Sequence, residues 1–254
     1  MAVVTQSGSR HISGAGTTAE AWHACGLLAA VPFIAAAELV PPGARAIIVA
    51  PHPDDETLAC GGLIQALHAA GRDVRIMSVT DGNASHPGSA LWPPAALAER
   101  RAQELRAALD RLGMPALAAQ RLHVPDGAVA QHEAALHRAI AMCMQPGDVL
   151  LTTWRFDGHP DHEACGRACA AAAAASGNRL IEFPVWAWHW ATPDSSALPW
   201  PRARKLLLAP DQKERKRRAA AAFCSQTEER DHDGPVLPQS ALARLVTHQE
   251  LYFL

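Results

Sequence analysis

Two clusters of histidine and aspartate stand about a hundred residues apart in this chain. Pro51-His52-Pro53-Asp54-Asp55-Glu56 follows the apolar run Ala46-Ile47-Ile48-Val49-Ala50, and His159-Pro160-Asp161-His162 follows the apolar run that ends at Trp154. Imidazole nitrogens and carboxylate oxygens are the donors that hold a hydrolytic zinc ion. Such a site needs three of them, an open position and an acid or base beside it. His52 and Asp55 are two such donors, and Pro53 stiffens the turn between them. Asp54 is directed away from Asp55, so the two carboxylates need not share a role. Asp55 and Glu56 also sit where a helix N-terminus favours negative charge. His159 and His162 are three apart around a second helix start. His162 completes a His-Asp-His set, His159 is a spare imidazole near it, and Asp161 is available to orient an imidazole.

These residues work together only if the fold joins them. Ala46–Ala50 reads as a buried parallel strand, a helix runs from Thr57 to about Ala70, and Val74 to Thr80 is the next strand. A Gly-, Ser- and Pro-rich loop covers 81–94. The segment 95–112, rich in Ala, Leu, Glu and Arg, reads as a helix stopped by Gly113. A short strand at Leu122–Val124, a helix over 131–144, a strand over 149–154 and an Ala-rich helix over 163–175 follow. Strands near 180–188 and 205–208 and a helix over 213–223 complete the pattern. This alternation predicts an α/β fold: a Rossmann-like open, mostly parallel sheet with helices on both faces, in a single domain over 44–254. Residues 1–43 form an N-terminal extension, with a short helix capped by Thr18. Ligands of such sheets sit at the carboxyl ends of the strands, and both clusters fall at strand-to-helix junctions on that edge.

At 254 residues the chain is long enough for one large core, and 49% hydrophobic with 19% charged residues is globular composition. A net charge of -2 gives no footprint for nucleic acid. No apolar stretch is long enough for a transmembrane segment, and the first residues lack the pattern of a secretion signal. Six cysteines without a C-x-x-C pair read as reduced thiols of a cytoplasmic protein. Cys165 and Cys169, four apart on a helix, fit packing better than a soft-metal site. The composition is compatible with a homo-oligomer and does not fix its order.

The paired clusters resemble the LmbE-like (PIG-L) family of zinc-dependent N-acetylglucosaminyl de-N-acetylases. Further matches are Thr80-Asp81-Gly82, Arg101-x-x-Glu104-Leu105 ahead of Leu112-Gly113, Leu122-x-x-Pro125-Asp126-Gly127, and Lys216 with Ser225-Gln226. Together they cover roughly 44–254. The resemblance implies a zinc-dependent amidohydrolase, a C–N hydrolase acting on linear amides. Its substrate would be a small-molecule amino-sugar conjugate carrying an N-acetyl group. It further implies that His52, Asp55 and His162 bind Zn2+ (Fe2+ or another divalent ion suits the same donors), that Asp54 is the general base and that His159 stabilises the oxyanion. Asp161 and Glu56 would support the ligands from behind.

Substrate contacts are less defined. Arg101 matches an arginine that contacts substrate hydroxyls in relatives, or else pairs with Glu104 on its helix. Asp81 and the loop carrying His86 leave the same sheet edge and could cover the site. In Phe183-Pro184-Val185-Trp186-Ala187-Trp188-His189-Trp190, strand alternation puts Trp186, Trp188 and Trp190 on one face, to stack on a sugar or to anchor the core. The basic run 213–218 reads as a solvated helix face. A competing function is a metal-dependent hydratase or lyase acting on an unsaturated dicarboxylate, with Arg75, Arg101 and Arg155 as anchors. A metal-stabilised binding module is disfavoured by the intact Asp54 and His159, and a cysteine hydrolase through Cys60 by the absence of a partnering histidine.

Overall fold

The computed structural model describes residues 10–229 and 234–254. Three short helices, α1 (Ala19–His23), α2 (Gly26–Ala30) and α3 (Ala36–Leu39), precede β1 (Ala46–Ala50) and α4 (Asp55–Ala69). Then come β2 (Val74–Thr80), α5 (Pro94–Arg111), β3 (Ala119–Val124), α6 (Glu133–Cys143), β4 (Val149–Thr153), α7 (Pro160–Ser176) and β5 (Arg179–Phe183). The chain closes with α8 (Ala187–Trp190), β6 (Ala203–Leu207), α9 (Pro210–Ala220), α10 (Cys224–Thr227), α11 (Gln239–Leu245) and β7 (Gln249–Phe253). Thr18 caps α1 as expected, its hydroxyl accepting from the Ala21 amide at 3.2 Å.

One seven-stranded sheet runs β3-β2-β1-β4-β5-β7-β6. The pairs β2–β3, β1–β2, β1–β4 and β4–β5 are parallel, and β7 is antiparallel to both its neighbours. This is the open, mostly parallel sheet that the alternation predicts. Side chains alternate across it. Ile48, Ile76 and Leu151 join α4 and α5 in one buried cluster, while Ile47, Val49, Met77 and Leu150 join α6 and α7 in the other. Every residue of β1 and β4 is buried, which explains why both read as unbroken apolar runs.

From β1 the chain winds outward through β2 to β3, and from β4 it winds the other way to β5. The β1/β4 boundary is therefore the switch point where a crevice opens at the carboxyl ends of the strands. Both His/Asp clusters leave the sheet there. The topology joins what the sequence separates.

The strand β7 and the helix α11 were not expected from the sequence, and three further elements differ from expectation. The strand expected over 180–188 ends at Phe183, and Ala187–Trp190 is helical, so Trp186, Trp188 and Trp190 do not share a strand face. The cause is tertiary. Asp157 accepts from the amides of Val185, Trp186 and Ala187, each at 2.9 Å, and so draws the backbone out of the sheet. The Ala-rich helix begins earlier, at Pro160, with His159 as its N-cap. The basic run is not wholly a solvated face, since Lys216 is fully buried and bonds Glu250 at 2.7 Å. Glu250 also accepts from the Gly62 and Leu63 amides of α4 and from the Tyr252 hydroxyl. Gly62 permits this close packing, because a Cβ there would lie 2.6 Å from Leu208 Cγ.

Candidate active site

His52 and Asp55 lie on the turn between β1 and α4, and His162 lies in the first turn of α7. His52 Nδ1 is 3.4 Å from Asp55 Oδ2, His162 Nε2 is 3.4 Å from the same oxygen, and the two imidazole nitrogens are 3.3 Å apart. Tetrahedral coordination with bonds of about 2.0–2.1 Å puts ligand atoms roughly 3.3–3.4 Å apart. The three donors thus already stand at the corners of a metal-sized triangle. A second set, His52, His159 and Asp161, also meets the spacing of a metal site, but it shares His52 and lacks this equilateral arrangement around one carboxylate.

The outward nitrogens support the same reading. His162 Nδ1 is 2.8 Å from Asp157 Oδ2, and both side chains are fully buried. His52 Nε2 is 3.2 Å from Asp126 Oδ1 and 3.3 Å from Asp161 Oδ2. A carboxylate behind each imidazole fixes the tautomer and leaves the inward nitrogen as a donor to a cation. Asp161 thus backs His52, whereas His162 is backed by Asp157, which the sequence reading did not single out. The only sequence signal for Asp157 is an acid five residues before His162, and its other partners are amides about thirty residues on. Asp126 was visible only as part of the Pro-Asp-Gly turn. Its Oδ2 accepts from the Ala84 amide at 2.7 Å.

Burial raises the Asp55 carboxyl, but the charge of His162 and the bonds to His52 outweigh it and lower it to about 2. Burial likewise opposes charge on His52, yet hydrogen bonds to Asp126, Asp161 and Asp55 push its imidazole well above the ordinary range. Asp126 and Asp161 are both lowered, burial being outweighed by His52. In this cluster a proton on His52 does the work that a cation would do.

Asp54, at the N-cap of α4, is buried and raised to about 6 by desolvation, against the pull of Arg101. Arg101 does not pair with Glu104. Its guanidinium donates to Asp54 Oδ2 at 2.8 Å, to Pro53 O at 3.0 Å and to Gly82 O at 2.8 Å. Gly82, at φ 62°, lets that guanidinium pass, since a side chain there would collide with it. Glu104 instead bonds Arg100 and Ser225. Glu56 is fully buried behind the turn, accepting from the Asp54 amide at 3.2 Å, and desolvation raises it to about 8. It therefore supports the turn through the backbone of Asp54 and touches neither imidazole ligand.

His159 Nδ1 accepts from the Asp161 amide at 3.2 Å, which leaves Nε2 to carry the proton. Burial, with His162 and His52 nearby, lowers its imidazole to about 3, so it is a neutral donor. Trp186 stacks on it at 6.4 Å between centroids and 19° between planes.

Of these groups His52, Asp54, Asp55, Asp126 and His159 border a cavity of about 270 Å³ with Ser85, Gly127, Gln226 and Leu237 on its wall. Among the expected substrate contacts, Arg101 and Trp186 line it. Asp81 does not: it bonds Arg121 and His123, both at 2.8 Å. His86 is buried beside Ser85 and does not line it either. Trp188 packs edge-on against Trp22 at 5.0 Å and lines a different cavity.

The comparisons with known proteins agree with this geometry. The family description "GlcNAc-PI de-N-acetylase" (PIG-L) matches residues 47–173, half of the chain. A 1D-myo-inositol 2-acetamido-2-deoxy-alpha-D-glucopyranoside deacetylase of Mycolicibacterium vanbaalenii is 32% identical over 181 residues, 61% of each chain. The same-named enzyme of Rhodococcus erythropolis is 28% identical over 174 residues, 59% of this chain and 58% of that one. The match therefore spans about three fifths of the length of these relatives. A teicoplanin deacetylase solved in a zinc-inhibited form superposes with a TM-score of 0.62 at 18% identity, covering 82% of this chain and 97% of the other. That likeness shows the shared fold.

Proposed function

Given that the chain belongs to the PIG-L (GlcNAc-PI de-N-acetylase) family, we propose that it is a metal-dependent amidohydrolase. It would remove the acetyl group from an N-acetylglucosamine-type amino sugar or its conjugate. The observation that carries this reading is the triangle of His52, Asp55 and His162 donors, 3.3–3.4 Å on each side, with Asp54 and His159 on the wall of the same cavity. These three residues would hold the cation, zinc being the ion that such donors favour. A divalent ion there supplies Lewis acidity and lowers the pKa of a water ligand from 15.7 towards about 7.

The chain's own groups then divide the remaining work. Asp54 accepts a proton from the water that attacks the acetamide carbonyl carbon. Arg101 holds that carboxylate in place and limits how far burial raises it. His159 donates its Nε2–H to the developing oxyanion, with the Trp186 ring fixing the plane of the imidazole. Once it holds that proton, Asp54 is also placed to pass it to the departing nitrogen. Acetate and a free amine result.

The hydratase alternative needs free cationic anchors. Arg75 is half-exposed near Asp73, Arg155 is tied to Glu182, and Arg101 is committed to Asp54. The test is a panel of N-acetylglucosaminyl conjugates and an unsaturated dicarboxylate, followed for free amine, acetate and loss of enol absorbance. Equal amounts of amine and acetate support the proposal; turnover of the dicarboxylate alone would reverse it.

A further inference from the structure

A second cavity, of about 290 Å³, lies beyond Leu58, which borders both hollows. Its wall joins the segment before β1, through Trp22, Leu28 and Phe33, to Trp188 and the C-terminal residues Leu245 and Leu251. None of His52, Asp54, Asp55, His159 and His162 lines it, so it is separate from the proposed catalytic site.

The cations on its wall set it apart. Among the described residues, four Lys or Arg side chains are buried: Arg101, Lys205, Lys216 and Arg244. Arg101 has Asp54 at 2.8 Å, and Lys216, on the wall of this cavity, has Glu250 at 2.7 Å on the same wall. Lys205 and Arg244, at 3% and 6% exposure, have no carboxylate partner, and both line this one cavity. Lys205 Nζ donates to Leu28 O and Ala29 O, both at 2.9 Å, at the end of α2, and lies 4.8 Å from the Phe33 ring. An ammonium has three donors, so one remains after the two carbonyls. Arg244 bonds Ala15 O, Thr17 O and His189 Nδ1. Carbonyls satisfy hydrogen bonds but leave the charge unbalanced, and a buried unbalanced cation is costly. Two such cations lining one hollow that also carries Trp22, Phe33 and Trp188 describe a receptor for an anion with an apolar body.

We propose that this cavity is a second ligand site, separate from the metal cluster, for a small amphipathic organic anion. The negative head lies against Lys205 and Arg244, and the apolar body lies along Trp22, Trp188 and Leu251. The test uses octanoate as probe, with 1-octanol as its uncharged counterpart, titrated against the full chain with metal present and followed by tryptophan fluorescence. Octanoate should bind saturably and at least about tenfold more tightly than octanol, as expected for a charge-assisted hydrogen bond. Lys205→Met should remove that preference. Ala243→Trp, at the exposed rim of the cavity, should block both probes without disturbing a buried charge, and it decides the matter if Lys205→Met fails to fold. Equal binding of octanoate and octanol, no octanoate binding, or binding unchanged in Ala243→Trp would overturn the proposal. Acetate release is not part of the readout, so this test stands or falls apart from the proposed activity.

Discussion

The two cavities have similar volumes, about 270 and 290 Å³, yet their charges are arranged in opposite ways. At the first cavity the charged groups are paired: His52 faces three carboxylates, His162 faces Asp157 and Asp55, and Asp54 faces Arg101, while His159 is neutral. The excess there is negative and converges on one point, which suits a cation. In the second cavity Lys216 is balanced by Glu250, Lys205 and Arg244 are left without a counter-charge, and Trp22, Phe33 and Trp188 are on the wall. A hollow becomes a site through its unbalanced charge rather than through its size.

The largest way to break this comparison is to remove the base. Asp54→Asn keeps the shape and the Arg101 contact but removes proton acceptance, so kcat should fall roughly 10²–10⁴-fold. Metal content, read by atomic absorption, should not change; loss of the metal together with activity would make Asp54 a ligand rather than a base. Next comes the carboxylate behind His162. Asp157→Asn should weaken metal binding about 10–100-fold, measured by competition with a chelator, and unchanged affinity would remove Asp157 from the account.

Proton linkage sharpens the picture further. Metal-free His52 is held protonated by its carboxylates, so a metal must displace that proton. Affinity should fall as pH falls, by up to about tenfold per unit. Calorimetry in buffers of different ionisation enthalpy should show close to one proton released at neutral pH. Asp54 works only when deprotonated, so kcat/KM should rise as pH increases through its titration. Its metal-free value is about 6 and a nearby cation lowers it, placing the acid limb no higher than about pH 6. A limb well above pH 7 would assign the essential base elsewhere.

The smallest effect separates the tryptophans. Trp186→Phe should change KM by a few-fold through His159 and the cavity wall. Trp188→Phe should leave acetate kinetics unchanged and alter only the second cavity. If the two variants behave alike, the cavities are not independent.

Those contrasts also show what the sequence could carry. The six residues from Pro51 to Glu56 and the four from His159 to His162 hold the proposed metal donors and base in contiguous runs. Each run follows an all-buried strand whose apolar composition is itself visible, so the mostly parallel sheet and the edge on which both clusters meet were legible. Asp157 was not, because its meaning lies in amides of 185–187 that only the fold brings near. The same contact misled the reading of the tryptophan segment, where a period of two signals a strand until a remote carboxylate turns the backbone into α8. Lys216 lay in a basic run that reads as surface, and only Glu250, on a strand that the sequence reading did not identify, makes it a core residue. Local patterns carried the chemistry; long-range caps and buried pairs had no local signature.

The most direct test of the central claim is a zinc titration of the metal-stripped protein, followed by acetate release from an N-acetylglucosaminyl conjugate. The account predicts negligible release without metal and a rise that reaches its maximum at one equivalent per chain. It also predicts that Asp55→Ala does not recover at that equivalence point. Acetate release that survives metal removal, or that appears equally in Asp55→Ala, would contradict it.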